Sequence, residues 1–462
     1  MPPAMREGGR LVVIGGVAAG MSAASRARRL RRDIEIVVLE QGRDVSYGAC
    51  SLPYYISGVV PDRSDLIVYD ADFFRTERRI DVRLGTRATA IDLRRRSVTA
   101  RSADDGREEA LGYDALVLAT GARPIRPPVP GAELSGVFTL RNMADGDAIR
   151  RLLDERRLSR ATVVGAGYIG LEMAEAFAVR GLSVTVLELL PTVLPSFDTD
   201  MVSTVERELH DRGVTVHKGT QVEAFEPADD GARVGYVVAD GRRFATDLVL
   251  LATGVRPVVE PASSAGVELG RTGAIRVDAR QVTSEPSVLA AGDCAESRHV
   301  VTGKPVWIPL GTTANKQGKI AGENAVGGDT RFRGVAGTNA TKVFDVEAAQ
   351  TGLTMSDAER EGIDALSVRI TSTSRSHAYP GAVPLTVKLV FEPGKGRVLG
   401  AQIVGREGAA KRIDTVATAL HAGMTVRELS EIDMSYAPPF APVWDPVLIA
   451  ASRAVRKLDP DR

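Results

Sequence analysis

One side chain that could do chemistry is the thiol of Cys50, set in the run SYGACSLPYY (46–55) between tyrosines and a proline. The other cysteine, Cys294, is too distant along the chain to suggest a disulfide framework, and so sparse a thiol content suits a reduced, cytoplasmic protein. By type alone a free cysteine is a small hydrophobe. Thiolate character and a supply of electrons would make it a reagent. The stretch SLPYYISG can begin a helix with Pro53 in its first turn, which would set the sulfur at the positive end of a helix dipole and lower its pKa. The histidines His210, His217, His299, His377 and His421 show no metal-ligand spacing, so no metal is expected, and His421 is assigned no role.

Two glycine turns would position an electron supply. The first lies in LVVIGGVAAGMSAASRARRL, followed by IEIVVLE, which reads as strand, turn, helix and a second strand ending in Glu40. Gly15, Gly16 and Gly20 allow a tight turn and let backbone amides at the helix start face a pyrophosphate, while Glu40 can hold ribose hydroxyls. Val17 stands where the second glycine of G-x-G-x-x-G is expected, so a plain strand–helix turn stays open there. The second turn, in ATVVGAGYIGLEMAEAFAVRG, carries the full pattern at Gly165, Gly167 and Gly170, with Glu188 ending the next strand. Two such units imply two dinucleotides, and passage of electrons from a nicotinamide to a flavin is the commonest use of that arrangement. Leu189 and Leu190 follow Glu188 with no arginine for a 2′-phosphate, which favours NADH over NADPH.

An internal echo supports two related modules: YDALVLATGARP (113–124) and TDLVLLATGVRP (246–257) each end a short apolar strand in Ala-Thr-Gly. Thr120, Gly121 and Gly254 in these echoes are candidate cofactor contacts. In SVLAAGDCAE (287–296) a strand ends at Asp293, well placed for a cofactor's sugar-like hydroxyls, and Cys294 beside it reads as a buried small residue.

The chain's 462 residues suggest about three domains. With 59 basic and 59 acidic side chains there is no overall field to draw nucleic acid or an anionic membrane surface. Arg6 and Arg10 before LVVIGG resemble the start of a signal peptide, but the apolar run breaks into a glycine turn and an arginine-rich helix. No uncharged apolar run reaches about 18 residues, so a soluble protein is expected.

The ordered set GGVAAG, SYGACSLPYY, ATGARP, GAGYIG, ATGVRP, GDCAE, PLGTTANKQGKIAGEN and YAPPFAPVWDPV resembles the pyridine nucleotide-disulfide oxidoreductases. Within them it is similar to the single-cysteine branch of coenzyme A disulfide reductases, NADH-dependent persulfide reductases and NADH oxidases or peroxidases. The resemblance spans nearly the whole chain. It implies an α/β fold with two Rossmann-like dinucleotide-binding domains, for FAD and NAD(P)H, and a C-terminal α+β dimerisation domain that makes a homodimer. The expected divisions are 1–120 and 258–332 for the two pieces of the FAD domain, 121–257 for the NAD(P)H domain with its linkers, and 333–462 for dimerisation.

In two-cysteine relatives the redox disulfide is spaced C-x-x-x-x-C; here Tyr55 stands five residues after Cys50, so Cys50 needs an external partner. The resemblance implies a mixed disulfide with coenzyme A or another small thiol, a persulfide, or a sulfenic acid. Oxidase and peroxidase members carry a histidine in the first glycine turn where this chain has Ala18, which favours disulfide or persulfide substrates. Against that, Ala49 replaces the asparagine that often precedes the cysteine in reductases, and Ala410 replaces a frequent aspartate. No rhodanese-like segment follows residue 462, so a fused sulfur-carrier role is not expected.

Matched contacts for coenzyme A, as a bound thiol or substrate, are Ser22, Arg26 and Arg29 on the first helix, Ser46 and Tyr47 before the cysteine, and Arg78. The same arginines could instead form a solvated helix face. Tyr436 and Tyr379 match tyrosines that reach the thiol site in relatives, Tyr436 from the other subunit, where a phenol can donate to a departing thiolate. Either could also be an ordinary interface or core residue. Open alternatives are an NADH oxidase or peroxidase, a flavin-only reductase of an iron-sulfur protein, and a redox-sensing flavoprotein.

Overall fold

The computed structural model describes residues 5–229 and 231–459; the outermost ends of the expected domain boundaries lie outside the described residues. Strand β1 (Arg10–Ile14), helix α1 (Ala18–Leu30) and strand β2 (Glu35–Leu39) form the first βαβ unit, with β1 and β2 parallel and in register from Arg10 opposite Glu35 to Ile14 opposite Leu39. The continuous Val, Ile and Leu of these strands suit a sheet buried on both faces. The sheet has five parallel strands, with Ala115–Leu118 beside β1, Val288–Ala290 outside it, and a short strand, β3 (Asp81–Arg83), beside β2.

Helix α1 lies close against the helix Gly311–Ala325 because glycines face alanines across the contact. A Cβ on Gly318 would stand 2.2 Å from the Ala19 carbonyl oxygen, and one on Gly322 2.1 Å from that of Ala23. Larger residues there would push the C-terminal part of the first module off its sheet.

A second five-stranded parallel sheet repeats the pattern, ordered Thr215–Lys218, Ser183–Glu188, Arg160–Val164, Leu248–Leu251 and Val137–Phe138. The two echo segments meet in space: Ala122–Pro124 pairs antiparallel with Val255–Pro257, Ala122 opposite Pro257. This two-stranded ribbon is where the chain passes from one module to the other and back.

The remaining unit is a five-stranded antiparallel sheet covered by helices Ala409–Ala422 and Pro446–Leu458. Its Lys388, nearly buried, lies 3.0 Å from buried Asp198 of the second module; Asp198 also accepts from Gln402 Nε2 at 2.7 Å. A buried charge is tolerated only when paired and hydrogen-bonded, so this cluster fixes the second module against the C-terminal sheet. The architecture is the α/β arrangement that the sequence predicts. Among the described residues no helix is long and apolar enough to cross a membrane.

Candidate active site

The two glycine turns are built alike. Gly15 has φ of +106° and Gly165 +104°, in the left-handed region that glycine tolerates. A Cβ on Gly20 would lie 1.7 Å from the Gly15 carbonyl oxygen, and one on Gly170 2.0 Å from that of Gly165, so each helix approaches its turn more closely than a side chain permits. A Cβ at Gly167 meets no protein atom within 4 Å, which leaves room for a ligand.

The turn amides divide their labour differently from the sequence-based expectation. Gly15 N–H donates to Leu39 O and Gly165 N–H to Leu187 O, both at 2.8 Å. Gly16 N–H donates to Glu40 Oε2 at 2.7 Å, and Ala166 N–H to Glu188 Oε2 at 2.5 Å. The Gly15, Gly16 and Gly165 amides are thus used within the chain. The donors left for pyrophosphates stand at the helix starts, ahead of the first turn-closing bonds from Met21 to Val17 and from Leu171 to Gly167. Gly20, Gly167 and Gly170 belong to these groups.

Glu40 also accepts from Gly42 N–H at 2.7 Å and Glu188 from Leu190 N–H at 2.8 Å. Each carboxylate is therefore held by two backbone donors, with lone pairs left for ribose hydroxyls. Burial pushes the Glu40 carboxyl up, against those two donors. Helix-start amides and an oriented carboxylate in both modules, with a side-chain-free position at Gly167 in the second where the first has Val17, fit an adenine dinucleotide.

The echo residues hold the ribbon. Thr120 Oγ1 donates to Val258 O at 2.6 Å, and Thr253 Oγ1 to Ile125 O at 2.7 Å, so the hydroxyl expected at a cofactor ties the two connections together. Gly254 O accepts from Ile125 N–H in the same ribbon, and Gly121 sits 3.1 Å, at its would-be Cβ, from Arg141 Nη2. Asp293 Oδ2 accepts from Arg141 at 2.9 Å and its carbonyl from Trp307 Nε1 at 2.8 Å, leaving Oδ1 for a ligand. Cys294 is fully buried among core side chains.

Cys50 is exposed, on a single turn (Ala49–Ser51) that leads into helix α2 (Leu52–Ser57). The expected depression of its pKa is overturned. Although the sulfur opens to solvent on one side, protein packed around it pushes the thiol up, and the carboxylates of Glu172 and Asp293 push the same way while Arg141 opposes them. A helix of six residues brings too little dipole to outweigh burial and these acids.

Glu172 belongs to the helix Tyr168–Val179 that follows the second glycine turn and packs against α2. Burial chiefly pushes its carboxyl up to about 7; Thr341 Oγ1, donating at 3.0 Å, opposes this and Glu175 adds to it. The ordinary value is 4.5, so the folded protein keeps a proton there that the unfolded chain has released by neutral pH. This favours the fold below the unfolded value and is lost as the pH rises through about 7. The Glu172→Gln variant, always neutral and still able to accept from Thr341, is therefore expected to gain thermal stability over the parent as pH rises from about 5 to about 8. A pH-independent difference in melting temperature would contradict the assignment.

The candidate substrate contacts are differently engaged. Ser22 Oγ bonds Asn315 at 2.7 Å and Arg26 pairs with Glu323 at 2.5 Å. Arg29 is exposed and makes no side-chain hydrogen bond or ion pair among the described residues. The guanidinium of Arg78 stands 5.5 Å over the ring of Phe73. The arginine row is not simply a solvated face, because Arg28 donates to the carbonyls of Arg78, Arg79 and Ile34. Ser46 has φ of +52°, and burial first, then Glu40, pushes the Tyr47 phenol up to about 12. Among the described residues neither Tyr379 nor Tyr436 shares a hydrogen bond or ring contact with the Cys50 segment in one protomer; both are exposed, and Tyr436 lies in sequence near the still more exposed Phe440 and Trp444. Arg141 and Glu172 escaped the sequence reading, since each reaches the site only through the packing of distant segments.

Residues 9–318 match the family described as pyridine nucleotide-disulphide oxidoreductase, and residues 338–446 its dimerisation domain. A protein of Pyrococcus horikoshii named NAD(P)H coenzyme A polysulfide/persulfide reductase is 40% identical over 96% of this chain and 97% of its own. One of Methanocaldococcus jannaschii named NADH oxidase is 38% identical over 97% and 99%. The solved structure of an NAD-dependent persulfide reductase from A. fulgidus superposes with a TM-score of 0.94 at 43% identity, over 98% of this chain and 84% of that one.

Proposed function

The chain belongs to the pyridine nucleotide-disulphide oxidoreductase family and is an FAD-dependent oxidoreductase, and from that premise we propose that it uses NADH to reduce a small disulfide or persulfide at Cys50. The substrate class we favour is coenzyme A disulfide or a coenzyme A persulfide or polysulfide. One observation carries this reading: Cys50 is an exposed thiol near enough to Asp293, the residue we assign to the flavin, to feel its charge, while Cys294 is sealed in the core and cannot serve as its partner.

FAD, when bound, accepts hydride from NADH and supplies the electron pair that reduces the sulfur. The Cys50 thiolate attacks one sulfur of a disulfide, forms a mixed disulfide and releases one thiol. Reduction of that bond by two electrons, with a proton to the second thiol, returns Cys50 as thiolate; overall, NADH, a proton and one disulfide give NAD⁺ and two thiols. Burial first, and then Glu172 and Asp293, disfavour a negative sulfur, so the resting site favours a neutral adduct or thiol and the attacking thiolate forms from it by loss of a proton.

Arg29 and Arg78 are the cations we assign to coenzyme A phosphates, with Ser22, Ser46 and Tyr47 nearer the cysteine; Arg26 would have to exchange Glu323 for a phosphate. The dimerisation domain suggests a homodimer, in which we place Tyr436 and Tyr379 of one copy at the other's thiol site. We place the enzyme in the cytoplasm, where an unpaired exposed thiol stays reduced.

The second reading, an NADH oxidase or peroxidase, rests on the Methanocaldococcus relative; Ala18, lacking the histidine that would assist a sulfenic acid, counts against it. Anaerobic NADH consumption with coenzyme A disulfide or persulfide as sole acceptor separates the two. Turnover well above the rate with oxygen alone is expected, and consumption only with oxygen would overturn the proposal.

A further inference from the structure

A cavity of about 390 Å³, away from Cys50, lies where the hairpin Ser297–Arg298 with Pro305–Val306 meets the C-terminal domain. Arg298, His299, Arg333, Arg397 and His421 line it, and no carboxylate does. Several other arginines of this protein are pinned by acids: Arg63, Arg141 and Arg412 hold aspartates at 2.7–2.9 Å. In the cavity Arg333 is exposed and has no side-chain partner among the described residues. Arg298 Nε reaches only the Gly303 carbonyl at 3.3 Å, and the nearest acid to Arg397 is Glu392 at 3.9 Å.

The largely buried His299 ring adds a donor to this set. Only 4% exposed, it accepts at Nδ1 from the amides of Val301 at 3.3 Å and Thr302 at 3.4 Å. That network assigns the proton of the neutral ring to Nε2, for which no acceptor is found among the described residues. Burial holds the ring in its neutral form against the charges of Asp357 and Glu361. The exposed His421 ring is pushed toward its neutral form as well, by its partial burial and then by Lys316 and Arg333. Three guanidinium groups and the His299 ring therefore line one space that no carboxylate lines, with Glu392 at 3.9 Å from Arg397 the nearest acid to that side chain, a set of donors suited to an anion.

We propose that this cavity is a second ligand site, distinct from the nucleotide and thiol sites, for the phosphate or diphosphate group of a small molecule. Guanidinium forks bind phosphate oxygens in pairs, and the His299 N–H would supply a fixed neutral donor. Arg298 and His299 stand a few residues after Asp293 on the flavin side, whereas Arg397 and His421 belong to the C-terminal domain. An anion held by both would join the flavin module to the C-terminal domain and stabilise their contact.

Inorganic pyrophosphate is the probe, titrated calorimetrically into FAD-saturated enzyme at constant ionic strength, with melting temperature as a second readout. The expected result is saturable binding and a raised melting temperature, both weakened at least about tenfold in Arg333→Ala/Arg397→Ala and unchanged in Arg87→Ala, a surface control. NADH turnover without pyrophosphate should be the same in the double variant. Binding that is absent in the parent, or equally strong in the double variant and hence at the nucleotide sites, would overturn the proposal. Should the double variant fail to fold, Arg333→Ala, on an exposed side chain with no partner, gives the same comparison.

Discussion

Replacing Cys50 by serine is expected to lower disulfide- or persulfide-dependent NADH consumption by at least about a thousandfold, with FAD still bound and still bleached by NADH. A serine hydroxyl cannot form a sulfur–sulfur bond, and no other thiol can take over because Cys294 is buried in the core of the first module. Nothing in the glycine turns, Glu40 or Glu188 depends on the sulfur, so binding of both dinucleotides should persist. The measurement is anaerobic steady-state turnover beside stopped-flow flavin bleaching. Unchanged turnover would place the chemistry at the flavin alone, as in an electron-transfer reductase; lost bleaching would mean that the substitution disturbs the fold rather than the reaction.

The second large effect concerns the choice of nicotinamide. Glu188 is buried, its two oxygens fixed by the amides of Ala166 and Leu190, and the following Leu189 and Leu190 are exposed. A 2′-phosphate charge about 4 Å from this carboxylate would meet a repulsion of about 4 kcal/mol at an effective dielectric of 20. We expect kcat/KM for NADH to exceed that for NADPH by between about tenfold and a thousandfold. Glu188→Ala with Leu189→Arg should reverse or erase the preference, chiefly through KM, because the repulsion goes and a cation for the phosphate arrives. Equal use of both cofactors by the parent enzyme would show that the adenosine ribose lies farther from Glu188 than the turn geometry implies.

What the sequence showed and what it hid divide along the range of the interactions. The glycine turns were legible because their demands are local: Gly15 and Gly165 need a left-handed φ, and Gly20 and Gly170 must lack a side chain where the helix meets the turn carbonyl. The paired echoes were legible as a repeat, but their role was not, since Thr120 meets Val258 only after the chain has passed through the whole second module. The thiol's pKa was misread for the same reason. Pro53 and α2 are visible in sequence, whereas Glu172 arrives on a helix 120 residues later and Asp293 later still. Arg26 looked like a free cation until Glu323, on the other side of the glycine–alanine helix contact, was in view. Tyr379 and Tyr436 share no hydrogen bond or ring contact with the Cys50 segment among the described residues of one chain, and the reading that Tyr436 reaches the thiol site from the other subunit concerns a surface that a single chain does not contain.

The central claim is that Cys50 itself carries the substrate sulfur between the two half-reactions. It is tested most directly by treating the enzyme with coenzyme A disulfide in the absence of NADH, digesting it, and weighing the peptide that contains Cys50 before and after one equivalent of NADH. The account predicts a coenzyme A adduct on Cys50 that NADH removes, with release of one thiol per site. A free Cys50 throughout, or an adduct that survives NADH while turnover continues, would contradict it.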